Sequence, residues 1–304
     1  MASPVKLITL EDLMADVQRA ADIIEVPVAD ITWDIMRAYE KGFTEDTVGL
    51  RITTKKRREL NVRYQSLAPQ DPYSVAVEHG FLTPTDHPVY AICPELIRMR
   101  PEAGYFIDLG VTHGFEKIWG FFTNPLTIEE VCAMETIPAS VPAQMDLFKQ
   151  YGLNWCGIIA INYRARSMNL YWMDGSFDTS PEIAGQLVVD SGFPRPSDFD
   201  NAFNSKGLGM YMTFTWDSDR IERISFCQGG PAEAVPAHWP PLVHKYAAEV
   251  PLRASERGFA LCTAYGHGHD DYVKIEGDYH GTIPTILGPV IGGSIEARKA
   301  AEGS

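Results

Sequence analysis

Five pairs of alternating sequence segments each carry a cation in or near the second segment. The set is Arg63, Lys117, Arg166, Arg223 and Lys274. Arg51 adds a cation on a first segment. One strand cation is commonly an exposed side chain whose stem covers apolar surface. Five repeats of one pattern instead favour a concave cluster of positive charge, which suits a small polyanion such as a diphosphate.

Aromatic and hydrogen-bonding side chains share the parity of these cations. They are Asn61, Trp119, Phe121, Asn169, Tyr171, Tyr211, Thr213 and Tyr272. Because every second residue of a strand points to the same face, we expect them to share one face with the cations. The amides and hydroxyls suit a diphosphate, whereas the ring faces suit either a flat aromatic ligand or a carbocation.

These residues lie in five predicted β-hairpins. Alternation predicts paired strands at 48–54 and 59–67, 104–111 and 115–122, 154–163 and 167–172, 208–216 and 220–227, and 258–266 and 271–279. Helical patterns occupy 10–24, 30–39, 72–79, 94–99, 127–134, 142–151, 181–191, 240–248 and 294–301. The repeating unit is therefore αββα.

Ten antiparallel strands predict a closed sheet. A sheet of this size tends to curl or close, because open edges are exposed to wrong pairing, and ten strands leave room inside. We therefore predict an α+β barrel of five αββα repeats, with a ring of helices outside and a solvent-filled lumen. Without a Gly/Ser-rich or Pro-rich linker, residues 1–304 are expected to form a single domain.

The charge balance excludes several classes of partner. The 304-residue chain is 45% hydrophobic and has 40 acidic and 26 basic residues, for a net charge of -14. Such a surface repels nucleic acid and anionic lipid. Neither a secretory signal nor a membrane span is predicted, since the uncharged stretch 281–295 is too short to cross a bilayer. We expect a cytoplasmic monomer that acts on small molecules.

Three weaker features receive structural interpretations. The five cysteines show no C-x-x-C spacing, so buried free thiols are predicted. The basic run 55–58 is predicted to be a solvated turn. His267, His269, Asp270 and Asp271 crowd one turn without a distant partner, so we predict no metal site there.

The segments 71–89, 114–122, 147–172, 210–226 and 271–280 resemble, in order and spacing, a known family. It is the soluble aromatic prenyltransferases of the ABBA type, the CloQ/NphB group. The resemblance implies a ten-strand αββα prenyltransferase barrel of secondary metabolism. It also implies transfer of a prenyl group from an allylic diphosphate to an electron-rich aromatic ring.

The resemblance assigns the cations to the diphosphate. Lys117, Asn169, Tyr211, Arg223 and Lys274 fall where the family binds this group. Some members place arginines at the positions of Arg51 and Arg63, where they replace a metal ion. Members that need magnesium carry an aspartate where this sequence has Asn61, so we expect metal-independent catalysis without a cofactor, with Asp108 as a possible outer-shell group.

The resemblance also implies an acceptor site. The prenyl and aromatic pocket would comprise Phe106, Trp119, Phe121, Gly157, Tyr171, Leu208, Thr213, Cys227 and Tyr272. Trp119, Phe121, Tyr171 and Tyr211 would shield the carbocation, and Phe106 would shorten the pocket to favour dimethylallyl over geranyl diphosphate. Asp278 or Glu276 would bind the acceptor or take its proton, or else be an exposed strand-end acid.

The expected acceptor is a hydroxynaphthalene or another phenol, with an indole or a phenazine as the next choice. A non-catalytic barrel that binds a small aromatic or phosphorylated ligand is the alternative. The cation cluster favours the enzyme, because a carrier of apolar molecules has no need to stabilise a diphosphate.

Overall fold

A computed structural model describes residues 8–55, 58–178, 180–195, 207–267 and 271–303. It contains all five predicted hairpins. The strands are β1 (Thr47–Thr53), β2 (Glu59–Gln65), β3 (Gly104–Gly110), β4 (Gly114–Thr127), β5 (Trp155–Asn162), β6 (Ser167–Met173), β7 (Gly207–Thr215), β8 (Arg223–Pro231), β9 (Gly258–Gly266) and β10 (Tyr272–Asp278). All ten belong to one sheet.

This sheet is a closed antiparallel barrel. Each strand pairs with its neighbours in sequence, and β1 pairs with β10 to complete the ring. In the closing pair, Gly49 lies opposite Asp278 and Arg51 lies opposite Glu276. The predicted barrel is therefore confirmed, and its hairpin turns all lie at one end, since every hairpin runs in the same sense around the ring.

Helices surround the barrel and bury its outer face. They are α1 (Leu10–Ile23), α2 (Asp30–Ala38), α3 (Glu40–Glu45), α4 (Pro72–Glu78), α5 (Val89–Met99), α6 (Ile128–Cys132), α7 (Met145–Gln150), α8 (Pro181–Asp190), α9 (Pro241–Glu249) and α10 (Ile283–Glu302). Leu50, Val62 and Leu170 alternate with lumen-facing residues and are fully buried. The helices thus form the main core outside the sheet, leaving the lumen for polar groups and rings.

The last helix differs most from its prediction. It begins at Ile283, well before the expected 294, and its buried residues Ile283, Leu287, Val290 and Ser294 recur at helical spacing. The first-turn proline is tolerated because its missing N–H has no partner within the helix anyway. α5 likewise begins at Val89 instead of 94. α10 packs on β4 and β5 and contributes to the floor of the lumen.

The cysteine prediction is wrong for one pair. Cys227 on β8 lies directly opposite Cys262 on β9, and the two form a disulfide. Sequence spacing could not show this, because the pairing depends on strand register. Cys93 and Cys156 are the buried free thiols that were expected, and Cys132 is free but partly exposed.

Neither a metal site nor a membrane span was predicted, and the described residues can be checked for both. There, no group of three or more metal-ligating side chains is found, and His269 and Asp270 of the histidine-aspartate turn lie outside the described ranges. Within the same ranges, each helix is too short or too polar to cross a bilayer.

Candidate active site

The lumen holds two connected cavities that share Arg51, Tyr211 and Lys274. The first, here called the polar compartment, has a volume of about 530 Å³ and lies toward the hairpin turns. Its other functional side chains are Thr53, Lys55, Glu59, Asn61, Glu116, Lys117, Asn162, Ser167, Asn169, Thr213, Arg223 and Tyr272. This end of the barrel therefore combines several cations with hydrogen-bonding groups.

The second cavity, here called the apolar compartment, has a volume of about 670 Å³ and lies deeper in the barrel. Besides the shared residues, its walls contain Arg63, Trp119, Phe121, Ile158, Tyr171, Met173, Gly209, Cys227, Ala260, Cys262, Glu276, Ile283 and Leu287. Ile283 and Leu287 come from α10, which explains why the apolar side chains concentrate at this end.

Lys274 stands at the junction of the two compartments. Its ammonium group donates a hydrogen bond to the Tyr211 hydroxyl and lies 4.5 Å from the Tyr211 ring centroid. Burial, together with the nearby charges of Arg51 and Lys117, holds the pKa of Lys274 well below its usual value. An arriving polyanion would reverse this effect, because it stabilises the charged ammonium.

The Tyr272 ring at the mouth of the barrel lies close to two further cations. Arg223 lies 5.0 Å and Lys55 lies 4.9 Å from the centroid of the Tyr272 ring. The Nε of Arg223 is buried without a hydrogen-bond partner. A buried N–H donor without a partner is costly, so this group is suited to an anionic ligand.

A β-bulge brings one carboxylate into the lumen. Asp108 pairs with Lys117, but Leu109 pairs with Phe115, so Glu116 is the extra residue of β4. Strict alternation would point it outward. Instead its oxygens accept hydrogen bonds from Asn61 (2.7 Å) and Asn162 (3.0 Å), and Lys117 lies 2.7 Å away. Burial alone would raise the pKa of Glu116, but Lys117 and His113 hold it well below its usual range.

A salt bridge to Asp108 on β3 fixes the position of Arg51. Its Nη2 lies 2.6 Å from the Asp108 carboxylate, which is fully buried. Burial would lower the pKa of Arg51, but Asp108 and Glu276 raise it instead. The guanidinium is thus permanently charged and preorganised at the boundary between the compartments.

Aromatic rings form one wall of the apolar compartment. The Tyr171 ring lies 4.5 Å from that of Tyr211 and 5.3 Å from that of Trp119, centroid to centroid. Phe121 stands edge-on to Trp119 at 6.4 Å. Such a wall offers several negative ring faces to a cation.

Beside this wall lies an internal ion pair. The Arg63 guanidinium stacks over the Trp119 ring at 4.5 Å, and its Nη2 lies 2.6 Å from Glu276 Oε1. Gly49 leaves room for this carboxylate, since a Cβ there would lie 2.3 Å from the same oxygen. Arg63 is therefore already neutralised by the protein.

The structure divides the predicted diphosphate set. Lys117, Asn169 and Arg223 line the polar compartment, while Arg51, Tyr211 and Lys274 line both compartments. Arg63 instead lies in the apolar compartment, paired with Glu276. Thr213 and Tyr272, assigned to the prenyl pocket, stand in the polar compartment. Of that pocket set, Trp119, Phe121, Tyr171 and Cys227 line the apolar compartment.

Four other predicted residues are not among the described lining of the lumen. Phe106 is buried behind the aromatic wall, 4.7 Å from the Phe121 ring and outside the cavity lining, so it does not directly limit the pocket. Gly157 faces α10, where a Cβ would meet Met173 and Ser294 within 3.0 Å. Leu208 belongs to β7, but its side chain lies outside the described part of the chain.

Asp278 is the fourth of them, and its position argues against a role in chemistry. Its two carboxylate oxygens accept hydrogen bonds from the backbone N–H groups of Gly281, Thr282 and Ile283. These groups lie at the start of α10, where helix N–H groups have no partner within the helix. Asp278 therefore holds α10 in place, and of the two predicted acids Glu276 faces the central cavity.

Several site residues were missed by the sequence analysis. Lys55 was assigned to a solvated turn but lines the polar compartment, whereas Arg166 was counted with the lumen cations but lies exposed in the β5–β6 turn. Parity at the end of a strand cannot separate these cases. Glu116 was hidden by the bulge, and Asn162 shares the parity of Ala160 and Ile158 but was overlooked.

Comparison with known proteins agrees with this geometry. Residues 8–290 match the family described as aromatic prenyltransferase Orf2. A furaquinocin biosynthesis prenyltransferase from Streptomyces sp. (strain KO-3988) is 31% identical over 69% of this chain and 70% of its own. A 5,10-dihydrophenazine-1-carboxylate 9-dimethylallyltransferase from Streptomyces anulatus is 28% identical over 88% of this chain and 92% of its own.

Solved structures share the barrel at low sequence identity. The 5-dimethylallyl tryptophan synthase from Streptomyces coelicolor, in complex with DMASPP and Trp, aligns with a TM-score of 0.54 at 12% identity, covering 90% of this chain and 95% of that one. The prenyltransferase PriB, in a ternary complex with L-tryptophan and dimethylallyl thiolodiphosphate, gives 0.52 at 10% identity, over 90% and 96%. By its sequence match and its barrel, the chain belongs to the Orf2 family of aromatic prenyltransferases.

Proposed function

We propose that this prenyltransferase moves a dimethylallyl group, or alternatively a geranyl group, from its diphosphate to a phenolic acceptor, preferably a hydroxynaphthalene. The observation that carries this proposal is the junction at Lys274 and Tyr211, where a cluster of cations adjoins a wall of rings. Relatives named as a 5,10-dihydrophenazine-1-carboxylate 9-dimethylallyltransferase and as a flaviolin linalyltransferase support transfer to an aromatic acceptor, and the first of them keeps a phenazine open.

The polar compartment would hold the diphosphate. As the allylic C–O bond breaks, negative charge spreads over the leaving group, and preorganised donors in a site with little water stabilise it strongly. Lys274, Arg223, Lys117 and Lys55 supply charge, and Asn169 supplies an N–H donor. Arg51, held by Asp108, would contact the oxygens nearest the breaking bond, since it lines both compartments.

The apolar compartment would hold the allylic cation and the acceptor ring. Trp119, Tyr171 and Tyr211 present their faces, which stabilise a cation and exclude water. The acceptor's ring carbon attacks the allylic carbon, forming the new C–C bond and a ring-centred cation. This intermediate is a strong acid, so a weak base is sufficient to restore the aromatic ring.

We assign that proton transfer to Glu276. Its carboxylate faces the cavity, whereas the oxygens of Asp278 are taken by backbone N–H groups. Glu276 Oε1 accepts hydrogen bonds from Arg63 and Gln65. The proton would pass from the acceptor carbon to Glu276 and leave with the diphosphate or with water.

The donor set fits a metal ion poorly. Asn61 stands where magnesium-dependent members carry an aspartate, and it donates its N–H to Glu116. The Asp108 carboxylate is engaged by Arg51 and Glu116 is engaged by Lys117. We therefore propose metal-independent turnover.

One assay tests the whole proposal. The protein is incubated with dimethylallyl or geranyl diphosphate and a panel of naphthols, phenols, indoles and phenazines, with and without EDTA, and products are identified by mass. Dimethylallylated naphthol formed equally well in EDTA is the expected result. Loss of turnover in EDTA and its recovery with magnesium would contradict metal independence, and diphosphate binding without any product would favour a carrier.

A further inference from the structure

A third cavity lies beside the barrel, at the end away from the hairpin turns. It lies between the C-terminal end of β8, the N-terminal end of β9 and the first turns of α10. This side cavity has a volume of about 790 Å³. Gly229, Gly230 and Gly258 form its strand wall, and Pro284 and Gly288 belong to its helix wall. The missing side chains of these glycines create the space between sheet and helix.

The side cavity lies between the lumen and the surface. It shares Ala260, Ile283 and Leu287 with the apolar compartment. On its other side it shares Gly258, Asp278 and Pro284 with a broad surface depression. In the described part of the chain, these shared residues are all that stands between the aromatic wall and solvent at the end of the barrel away from the hairpin turns.

The chemistry of the side cavity differs from that of the mouth. Its lining is mainly backbone and hydrocarbon, and its large side chains are Phe259, Ile283, Leu287 and Ile291. Asp278 is the charged residue among the described lining, and a carboxylate repels a diphosphate. The side cavity therefore suits a flat apolar ring system and disfavours the prenyl donor.

We propose that the side cavity is where the acceptor enters and where the distal rings of a polycyclic aromatic acceptor bind. This inference rests on the proposed function and names the acceptor class more closely. The ring that is attacked lies in the apolar compartment, and the fused rings pass between Leu287 and Ala260. Donor and acceptor thus reach the junction from opposite ends, and the product leaves without crossing the cations.

Two glycines of α10 provide a matched test. An added Cβ at Gly288 or at Gly292 meets no atom within 4 Å, and the two residues lie one helical turn apart. Gly288 lines the side cavity, whereas Gly292 does not. Gly288→Phe should fill the side cavity, and Gly292→Phe is the control for the same substitution in the same helix.

The readout is KM for three acceptors and the donor. Gly288→Phe is expected to raise KM for a hydroxyphenazine or a naphthol by about tenfold or more, since a ring loses its buried surface. It should raise KM for a single-ring phenol less, because that acceptor passes through the side cavity without leaving a ring there, and should change KM for dimethylallyl diphosphate by less than about twofold. Gly258→Val fills the same space from the strand wall, where a Cβ lies 4.0 Å from Asp278 Cβ, and should act alike.

Binding of the acceptor alone separates this inference from the proposed function. Calorimetric titration with dihydroxynaphthalene should show the same loss of affinity in Gly288→Phe and none in Gly292→Phe. Equal affinity in both variants would overturn the side-cavity inference, whether or not transfer occurs. Binding that is lost in Gly288→Phe but never followed by product would support the cavity and contradict the proposed function.

Discussion

Lys274 and Arg223 of the polar compartment differ from Arg63 of the apolar compartment in their counter-ions. In the polar compartment, the described contacts of Lys274 and Arg223 are rings and a hydroxyl rather than carboxylates. In the apolar compartment, Arg63 is already paired with Glu276 at 2.6 Å. A cation without a counter-ion binds an anionic ligand more strongly, whereas a paired cation mainly stabilises the fold and fixes the position of its partner.

This difference predicts which property each substitution will change. Loss of Lys274 or Arg223 should reduce catalysis more than folding, because neither is paired with a carboxylate among the described contacts and the remaining cations repel each other less. Loss of one partner of the internal pair should reduce stability, because the other charge stays buried without compensation.

The largest effect is expected for the internal ion pair. Glu276→Ala should lower the free energy of unfolding by about 3 kcal/mol or more, since it leaves Arg63 uncompensated. The double variant Arg63→Met with Glu276→Leu should recover most of that stability. Urea unfolding followed by circular dichroism measures both.

Activity of the double variant sharpens the comparison further. If Glu276 takes the proton, transfer should stay low although stability returns. A double variant with restored stability and full transfer would show that the pair is purely structural.

Next in size is the removal of an unpaired cation. Lys274→Met should reduce kcat/KM by roughly 100-fold, by analogy with deleting one preorganised donor to a developing negative charge. Its unfolding free energy should not fall. Arg164→Met, in the exposed β5–β6 turn, is the matched control and should leave both quantities unchanged. Equal rates for the two variants would contradict the assignment of the polar compartment.

A smaller effect is expected at the start of α10. Asp278→Ala should cost about 1 to 2 kcal/mol of stability, since three backbone N–H groups lose their acceptor. Asp278→Asn keeps an acceptor oxygen and should cost less. Unfolding and prenyl transfer are measured together. A large loss of transfer without loss of stability would instead make Asp278 part of the chemistry.

The smallest effect is the uptake of protons when diphosphate binds. The pKa of Lys274 is lowered in the free protein, and a bound diphosphate favours the charged ammonium, so binding should take up protons. Affinity for inorganic diphosphate should therefore fall as pH rises through the lowered pKa. Calorimetry in two buffers of different ionisation enthalpy counts the protons, with Lys274→Met as reference. Equal uptake in the variant would contradict this source.

Alternation and turn chemistry were sufficient to predict the barrel. The hairpins were found because lumen-facing residues alternate with outward-facing apolar residues along the strands, and closure followed from strand number. The start of α10 was missed because glycines and prolines disguise its apolar spacing. Phe106 was misplaced because the parity of a strand gives the side on which a residue lies but not what covers it. Gly157 was misplaced because it was assigned by resemblance, although its parity points it outward to α10.

The polar details of the site depended on register, which is a property of strand pairs. Glu116 reaches the lumen through a bulge that no single-strand pattern reveals. The Cys227–Cys262 disulfide arises from two residues that come opposite each other only after β8 and β9 have paired. Sequence therefore predicted the composition of the lumen better than the distribution of residues between its two compartments.

The pairing of β1 with β10 has a consequence for synthesis of the protein. Gly49 meets Asp278, so the ring stays open until β10 has left the ribosome. Until then β1 and the newest strand expose unpaired backbone groups, and such edges invite association with other chains. Contacts between such distant residues also form slowly. The final hairpin is therefore the step at which a nascent chain stops being prone to aggregation and first acquires an enclosed catalytic interior.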